Sequence, residues 1–277
     1  MFLVFDIGGT NMRLAVSHDG KDIEEPKILE TPKDFDEGMS LFKKTALDLS
    51  DGEKVIASAG GIAGSLDGKK GMLVNSPNLP GWVKKPLKKT IEKFFDNPVY
   101  IENDAAIVGL GEALVGAGRN HAIVAYITVS TGVGGARIVD GKIDRNAMGF
   151  EPGHQILEIN GPLCPTCGVP GHLEGYVSGA ALKKKYNKNP EDIIDKKVWD
   201  DVAYYLAFGI HNSLLHWSPD VIVLGGSMMK SIPIEKVSEN LHEILTIFPK
   251  APLVKRAELG NKGGLRGALA IAKQHYE

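Results

Sequence analysis

Residues 2–16 read FLVFDIGGTNMRLAV, and residues 122–139 read AIVAYITVSTGVGGARIV. Both are an apolar run, a Gly/Thr-rich turn and a second apolar run. In the first, Phe2 to Ile7 predicts a strand that Gly8-Gly9-Thr10-Asn11 interrupts. Met12 to Val16 predicts its hairpin partner, turning at Asp19-Gly20. In the second, Ala122 to Val129 leads into Ser130-Thr131-Gly132-Val133-Gly134-Gly135, followed by Ala136 to Val139 and Asp140-Gly141. Each second strand carries an arginine, Arg13 or Arg137. One supersecondary unit repeated about 120 residues apart suggests two related half-domains. Short Gly-rich hairpins also resemble one another by chance, so the sheets must decide.

Around these units the chain alternates strands with helices. Helical spacing covers 35–49, with Phe35, Met39, Phe42, Ala46 and Leu49 on one face. Val55 to Ala59 predicts a strand ending at Gly60-Gly61. Pro86 to Phe95 reads as helix, Val99 to Ile101 as strand, and Ala105 to Val115 as a helix closed by Gly116 and Gly118. Further helices are expected at about 175–186, 198–217 and 265–274, with a buried strand at Val221 to Leu224. That alternation defines an α/β protein.

Composition narrows the function. The chain has 277 residues, 43% hydrophobic and 24% charged, which excludes disordered and coiled-coil classes. With 32 Lys+Arg against 34 Asp+Glu, no basic surplus exists for non-specific nucleic-acid binding. Two cysteines make no disulfide framework and fit a reducing cytoplasm. No signal-peptide pattern opens the chain, and no apolar run is long enough for a membrane span.

Glycines let backbone N–H groups approach a polyanion, and threonine hydroxyls add donors. Neither turn is a Walker loop, since no Gly-Lys-Ser/Thr follows, and neither opens a helix. Alone, each is equally a tight hairpin. Together, with Asp6 before the first, they favour an ATP-phosphate clamp. Asp6 is then placed to orient hydrated Mg²⁺. Asn103-Asp104 stands where a strand ends and a helix begins, a place for ligands but also for an ordinary helix cap. Given two phosphate turns, Asp104 is the candidate general base for phosphoryl transfer to a hydroxyl. Asn75-Ser-Pro-Asn78-Leu-Pro-Gly-Trp82 is a loop whose amides suit a polyhydroxylated ligand, with Trp82 read as a packing residue. His154, Cys164, Cys167 and His172 supply two thiols and two imidazoles, the donor set of a closed tetrahedral Zn²⁺ site. A redox C-x-x-C and two unpaired thiols are the alternatives; no helix follows Cys167 to depress a thiolate pKa.

These motifs resemble the ROK family of sugar kinases and repressors, within the actin-like, hexokinase-like superfamily. Asp6-Ile-Gly8-Gly9-Thr10-Asn11-x-Arg13 resembles the family's first phosphate motif, and Thr131-Gly132-Val133-Gly134-Gly135 its second. Glu102-Asn103-Asp104-Ala105 resembles the catalytic segment, and Glu151-Pro-Gly-His154 the Glu-x-Gly-His signature. Cys164-x-x-Cys167-Gly-x-x-Gly171-His172-x-Glu174 is similar to the zinc segment, and Val221 to Gly226 to the nucleotide-side strand. Two departures stand out: one residue is inserted between the first two cysteines, and His172 replaces a third cysteine.

The resemblance implies a two-lobed α/β fold with a central cleft. Residues 1–105 and 265–277 would form the small lobe and 106–264 the large one. ATP phosphates would lie at Gly8, Gly9, Thr10 and Asn11 and at Thr131, Gly132 and Gly134, with adenosine near Gly225 and Gly226. The sugar would meet Asn78, Asn103, Asp104, Glu151, His154 and Glu174. His154 would serve both sugar and metal. The expected activity is ATP-dependent phosphorylation of a hexose at its 6-hydroxyl, glucose first because Asn78 to Trp82 is similar to glucokinase members. N-acetylhexosamines, mannose and fructose remain alternatives, as does a non-catalytic sugar-binding regulator. Without the resemblance, a small zinc-loop interaction protein is a third reading, which nucleotide binding would exclude. Expected partners are the sugar, the nucleotide and a second copy of the chain, with neither nucleic acid nor membrane.

Overall fold

The computed structural model describes residues 1–67 and 71–276, which form two compact units. Unit one comprises Met1–Val115, Arg145–Gly149 and Asn261–Glu277; unit two comprises Gly116–Asp144 and Phe150–Gly260.

Unit one is built on the first hairpin. Strand β1 (Phe2–Ile7) pairs antiparallel with β2 (Asn11–Ser17), which pairs antiparallel with β3 (Lys27–Glu30). After helix α1 (Phe35–Ser50), β4 (Ala57–Ile62) returns parallel to β1. A small hairpin, β5 (Ser65–Asp67) and β6 (Met72–Asn75), precedes α2 (Leu87–Phe95). Strand β7 (Val99–Asn103) then joins parallel to β4 and runs directly into α3 (Asp104–Val115). The sheet order is β3-β2-β1-β4-β7.

Unit two begins with β8 (Ile123–Val129), antiparallel to β9 (Val133–Val139), which pairs antiparallel with β10 (Lys142–Ile143). Helices α4 (Glu174–Val177), α5 (Gly179–Tyr186) and α6 (Lys196–Trp217) follow. Strand β11 (Val221–Gly225) lies parallel to β8. After α7 (Ile234–Ile244), β12 (Leu253–Arg256) lies parallel to β11. This order, β10-β9-β8-β11-β12, repeats that of unit one in sequence and in every strand direction. The duplication suggested by the two Gly/Thr hairpins is therefore one of whole sheets. The arginines are not part of it. Arg13 lies opposite Asp6, whereas Arg137 lies opposite Ala125 and binds Asp144 and the Trp217 carbonyl.

The expected strand at 55–59 is displaced. Gly60-Gly61 lies inside β4 rather than ending it, because β4 is paired on both sides and its glycines make room for neighbours. A Cβ at Gly60 would lie 2.1 Å from the Phe5 ring, and one at Gly61 2.7 Å from Ile107. Unit one also keeps α3, about ten residues beyond the expected boundary at 105. The reason is helix α8 (Gly263–Tyr276), which packs on α3 at backbone distance: a Cβ at Gly267 would lie 1.9 Å from the Ile107 carbonyl. Leu265, Ala268 and Ala272 of α8 are buried beneath it. No described helix is long and apolar enough to cross a membrane.

Candidate functional site

In unit one, the turn between β1 and β2 is tied on its outer side. Gly8 N–H donates to the Asn11 carbonyl at 2.9 Å, the Thr31 hydroxyl to the Gly8 carbonyl at 2.8 Å, and Lys33 Nζ to the Gly9 carbonyl at 2.9 Å. Thr31 and Lys33 had no signal in the sequence, since only the folded chain brings them to the turn. Asp6, cross-strand from Arg13, pairs with it at 3.1 Å. Burial still pushes the Asp6 carboxyl above its ordinary range, against the opposing pull of Arg13. Further positive charge beside this turn would favour the ionised carboxylate, as a hydrated Mg²⁺ requires.

The Asn78 loop meets the same turn. A Cβ at Gly9 would lie 2.5 Å from the Asn78 Cβ, so only glycine lets the loop so close. Leu79 and Trp82 anchor that loop in the core, and Trp82 Nε1 donates to the Pro32 carbonyl at 2.9 Å. Trp82 is thus a packing residue, as its sequence context suggested.

At the β7–α3 junction, Asn103 is the helix cap. Its Oδ1 accepts from the N–H groups of Ala105 (3.0 Å) and Ala106 (3.2 Å), and its Nδ2 donates to the Gly64 carbonyl at 3.1 Å. These bonds occupy much of the amide that was expected to face a sugar. They also fix Asp104, the first helical residue, on a rigid junction; its Oδ1 accepts from Ala105 N–H at 2.9 Å.

In unit two, the turn between β8 and β9 is held by α5. Gly179 N–H donates to the Ser130 carbonyl at 2.8 Å and Ala180 N–H to the Thr131 carbonyl at 3.1 Å. Gly226, at φ 94°, passes the incoming strand so closely that a Cβ would lie 2.2 Å from the Val129 carbonyl. The next residue, Ser227, hydrogen-bonds Ser130 through their hydroxyls at 3.0 Å. Beside them opens a cavity of about 600 Å³ lined by Thr131, Lys183, Trp199, Ser227 and Lys230. The start of the second Gly/Thr turn and Ser227, the residue after Gly226, therefore border one cavity whose lining holds Lys183, Lys230 and Glu191.

The Cys/His cluster converges as its composition suggested. The ligand atoms of His154, Cys164, Cys167 and His172 all lie within 4.8 Å of one another. His154 Nδ1 is 3.2 Å from His172 Nδ1, and 3.8 and 3.6 Å from the sulfurs of Cys164 and Cys167. Cys167 Sγ is 3.3 Å from His172 Nδ1. A tetrahedral Zn²⁺ with nitrogen at ~2.0 Å and sulfur at ~2.3 Å spaces its donors by roughly 3.3–3.8 Å, close to these four separations. Burial pushes the Cys164 thiol up to about 12, the reverse of what a redox nucleophile needs. Burial, then the neighbouring His154, lowers His172 and favours its neutral, metal-binding form. The inserted residue and the His172 replacement thus preserve a four-donor set.

Around the cluster, Glu151 Oε2 is 4.0 Å from His154 Nε2, the nitrogen turned away from the other ligands. Glu174, which the resemblance implies as a sugar ligand, is tied into the protein around it. It is 3% exposed, and both oxygens accept hydrogen bonds within the protein, from Val133 N–H at 2.9 Å and from the Thr166 hydroxyl. Gln155, absent from the sequence reading, fastens the loop to α6 through Nε2 bonds to the Pro152 and Gly209 carbonyls.

The sequence profile of the ROK family matches residues 3–275. The chain belongs to the ROK family. Among its ROK relatives, the chain is 30% identical to the glucokinase of Thermotoga maritima, over 97% of this chain and 96% of that one. It is also 30% identical to an N-acetyl-D-glucosamine kinase of Escherichia coli, over 97% and 98% respectively. The crystal structure of a ROK family glucokinase from Streptomyces griseus in complex with glucose and AMPPNP superposes with a TM-score of 0.81 at 28% identity, covering 99% of both chains. The two matching sheets are accordingly the duplicated α/β core of the actin-like, hexokinase-like fold.

Proposed function

We propose that this ROK protein is an ATP-dependent hexokinase that phosphorylates glucose at its 6-hydroxyl. The observation that carries the reading is the β7–α3 junction, where Asn103 caps the helix and sets Asp104 on a rigid element. A sensor has no need of a fixed carboxylate there. In this reading the 6-hydroxyl gives its proton to Asp104 as its oxygen bonds the γ-phosphorus. The bond from that phosphorus to the β,γ-bridging oxygen breaks, and ADP leaves. Backbone N–H groups of Gly9 to Asn11 and of Thr131, Gly132 and Gly134 donate to the phosphates, those of Gly8 and Val133 being held by the Asn11 carbonyl and Glu174. The cavity beside Gly225 and Gly226 takes the adenosine, with Lys183 and Lys230 at its rim. Asp6 orients hydrated Mg²⁺, which when bound offsets charge on the transferring group.

Asn78, Glu151 and His154 meet the sugar, with Asn103 and Asp104 at the reacting hydroxyl. The four-ligand cluster holds Zn²⁺, which when bound orders the Gly/Pro-rich loop between Glu151 and Glu174. The reading extends to a homodimer, which light scattering on the purified protein tests.

A coupled phosphorylation assay over hexoses and hexosamines with ATP tests the function. Glucose should give the highest kcat/KM. The N-acetyl-D-glucosamine kinase relative, equal in identity to the glucokinase, favours N-acetylglucosamine as second reading; preference for it would replace glucose. Sugar binding without turnover on any substrate would leave a non-catalytic regulator.

A further inference from the structure

Glu174 opens α4, and its carboxylate reaches both the metal loop just before it and a turn far from it in sequence. Oε2 accepts from the N–H of Val133, 41 residues away, at the end of the second Gly/Thr turn. Oε1 accepts from the Thr166 hydroxyl and stands 3.3 Å from Cys164 Sγ. Thr166 lies between the two cysteine ligands, so one buried carboxylate bridges the metal loop and the turn.

Other close contacts tie the same parts together. A Cβ at Gly132 would lie 2.8 Å from Glu174 Oε2. One at Gly153, next to the ligand His154, would lie 2.3 Å from the Val133 carbonyl. Pro152 packs on Gly135, where a Cβ would lie 2.7 Å from the proline Cγ. Backbone and carboxylate together leave the turn little freedom that the metal loop does not share.

We propose that Glu174 is a positioning residue that couples the metal-binding loop to the second Gly/Thr turn, so that metal occupancy sets the turn's affinity for nucleotide phosphates. This rests on the reading of that turn as a phosphate site. The carboxylate holds the Val133 N–H on the outer side of the turn. That bond leaves the Thr131 and Gly132 amides for the ligand. When the loop loses its metal, Thr166 and Cys164 shift, the carboxylate follows, and the turn loosens.

The experiment measures Mg·ATP affinity by calorimetry and hydrogen exchange over residues 130–135. It compares the zinc-loaded protein, the chelator-treated protein, and Glu174→Ala, Glu174→Gln and Thr166→Val. Removing a residue that orients metal ligands typically costs ~10–100-fold. Chelation and Glu174→Ala should each weaken Mg·ATP by about tenfold or more and speed exchange in the turn. Chelating the Glu174→Ala protein should add little, since the link is already cut. Glu174→Gln, which can still accept from Val133, should restore most of the affinity.

A Glu174→Ala protein with only its hexose KM raised, and with turn exchange and Mg·ATP affinity unchanged, would overturn the proposal. Should that variant fail to fold, Thr166→Val keeps every metal ligand and the Val133 bond. It should shift both readouts in the same direction, less strongly; no shift in either would also overturn the proposal. If the wild-type protein binds no nucleotide, the phosphate reading fails, and exchange in the turn still decides whether the coupling exists.

Discussion

Trp82 is 1% exposed and closes the loop that carries Asn78. Its ring meets Phe35 edge-on at 5.3 Å, and Gly38 of α1 lies beneath it, where a Cβ would come within 2.2 Å of the indole. Truncating a buried tryptophan to alanine costs ~3–5 kcal/mol. Stranding the Pro32 carbonyl, which loses its indole donor, adds roughly 1–3 kcal/mol. Trp82→Ala should therefore lose about 4–8 kcal/mol and unfold unit one or nearly so. Trp82→Phe is the informative variant. It keeps most of the ring contact with Phe35 and loses the hydrogen bond, about 1–3 kcal/mol. At ~2–4 °C per kcal/mol, the expected fall in Tm is of order 2–12 °C. Circular dichroism is the right probe, because the other tryptophans, Trp199 and Trp217, both lie in unit two. Because Asn78 packs on Gly9 from the same loop, hexose KM should rise with Mg·ATP KM nearly constant. An unchanged Tm would refute the packing argument. An unchanged Tm with hexose binding abolished would make Trp82 a sugar-stacking platform instead.

Asp104→Asn should keep sugar binding and lose ~10²–10⁴ in kcat, and near wild-type turnover would remove Asp104 from the mechanism. Asp6, raised by burial, binds more protons in the native than in the unfolded state. The stability its protonated form gives is present below the ordinary carboxylate range and lost as pH rises through the native pKa. Asp6→Asn should thus raise Tm at neutral pH relative to wild type, with the difference shrinking toward acid, while turnover falls; a Tm lowered at neutral pH contradicts this. Metal analysis should find one Zn²⁺ per chain, and chelation or Cys167→Ser should raise hexose KM while both sheets persist; full activity with far less zinc would sink the site. His172→Cys should retain the metal, and its loss would show that the imidazole is specifically required.

The two hairpins were legible because long apolar runs bounded by glycine have few other structures open to them. The Cys/His cluster was legible because cysteine and histidine are scarce and their chemistry is narrow. Edge strands were not. In β3 and β12 nearly every side chain is at least partly exposed, so Lys27–Glu30 and Leu253–Arg256 carry no alternating pattern. Gly60-Gly61 misled because sequence cannot separate a glycine that turns the chain from one that admits Phe5 and Ile107. Asn103 and Asp104 were legible as a pair, and the structure divides them into cap and catalytic candidate. Glu174 was legible only as a conspicuous acid. Its bond to Val133 spans 41 residues and exists only once α4 has docked.

The packing of α8 on α3 sets an order of events on the ribosome. About 255 residues separate the end of β1 from the start of α8. At ~5–20 residues per second, synthesis takes roughly 13–50 s to cross that interval. Throughout it α3 lacks the close backbone contact that Gly263 and Gly267 make with Ile107 and Gly111, and the burial of Leu265, Ala268 and Ala272. Unit two, whose last strand ends at Arg256, has all its parts before α8 emerges. A chain released with its end before residue 261 should hold a folded second unit and a chaperone-accessible first one. The unit begun first is the unit completed last.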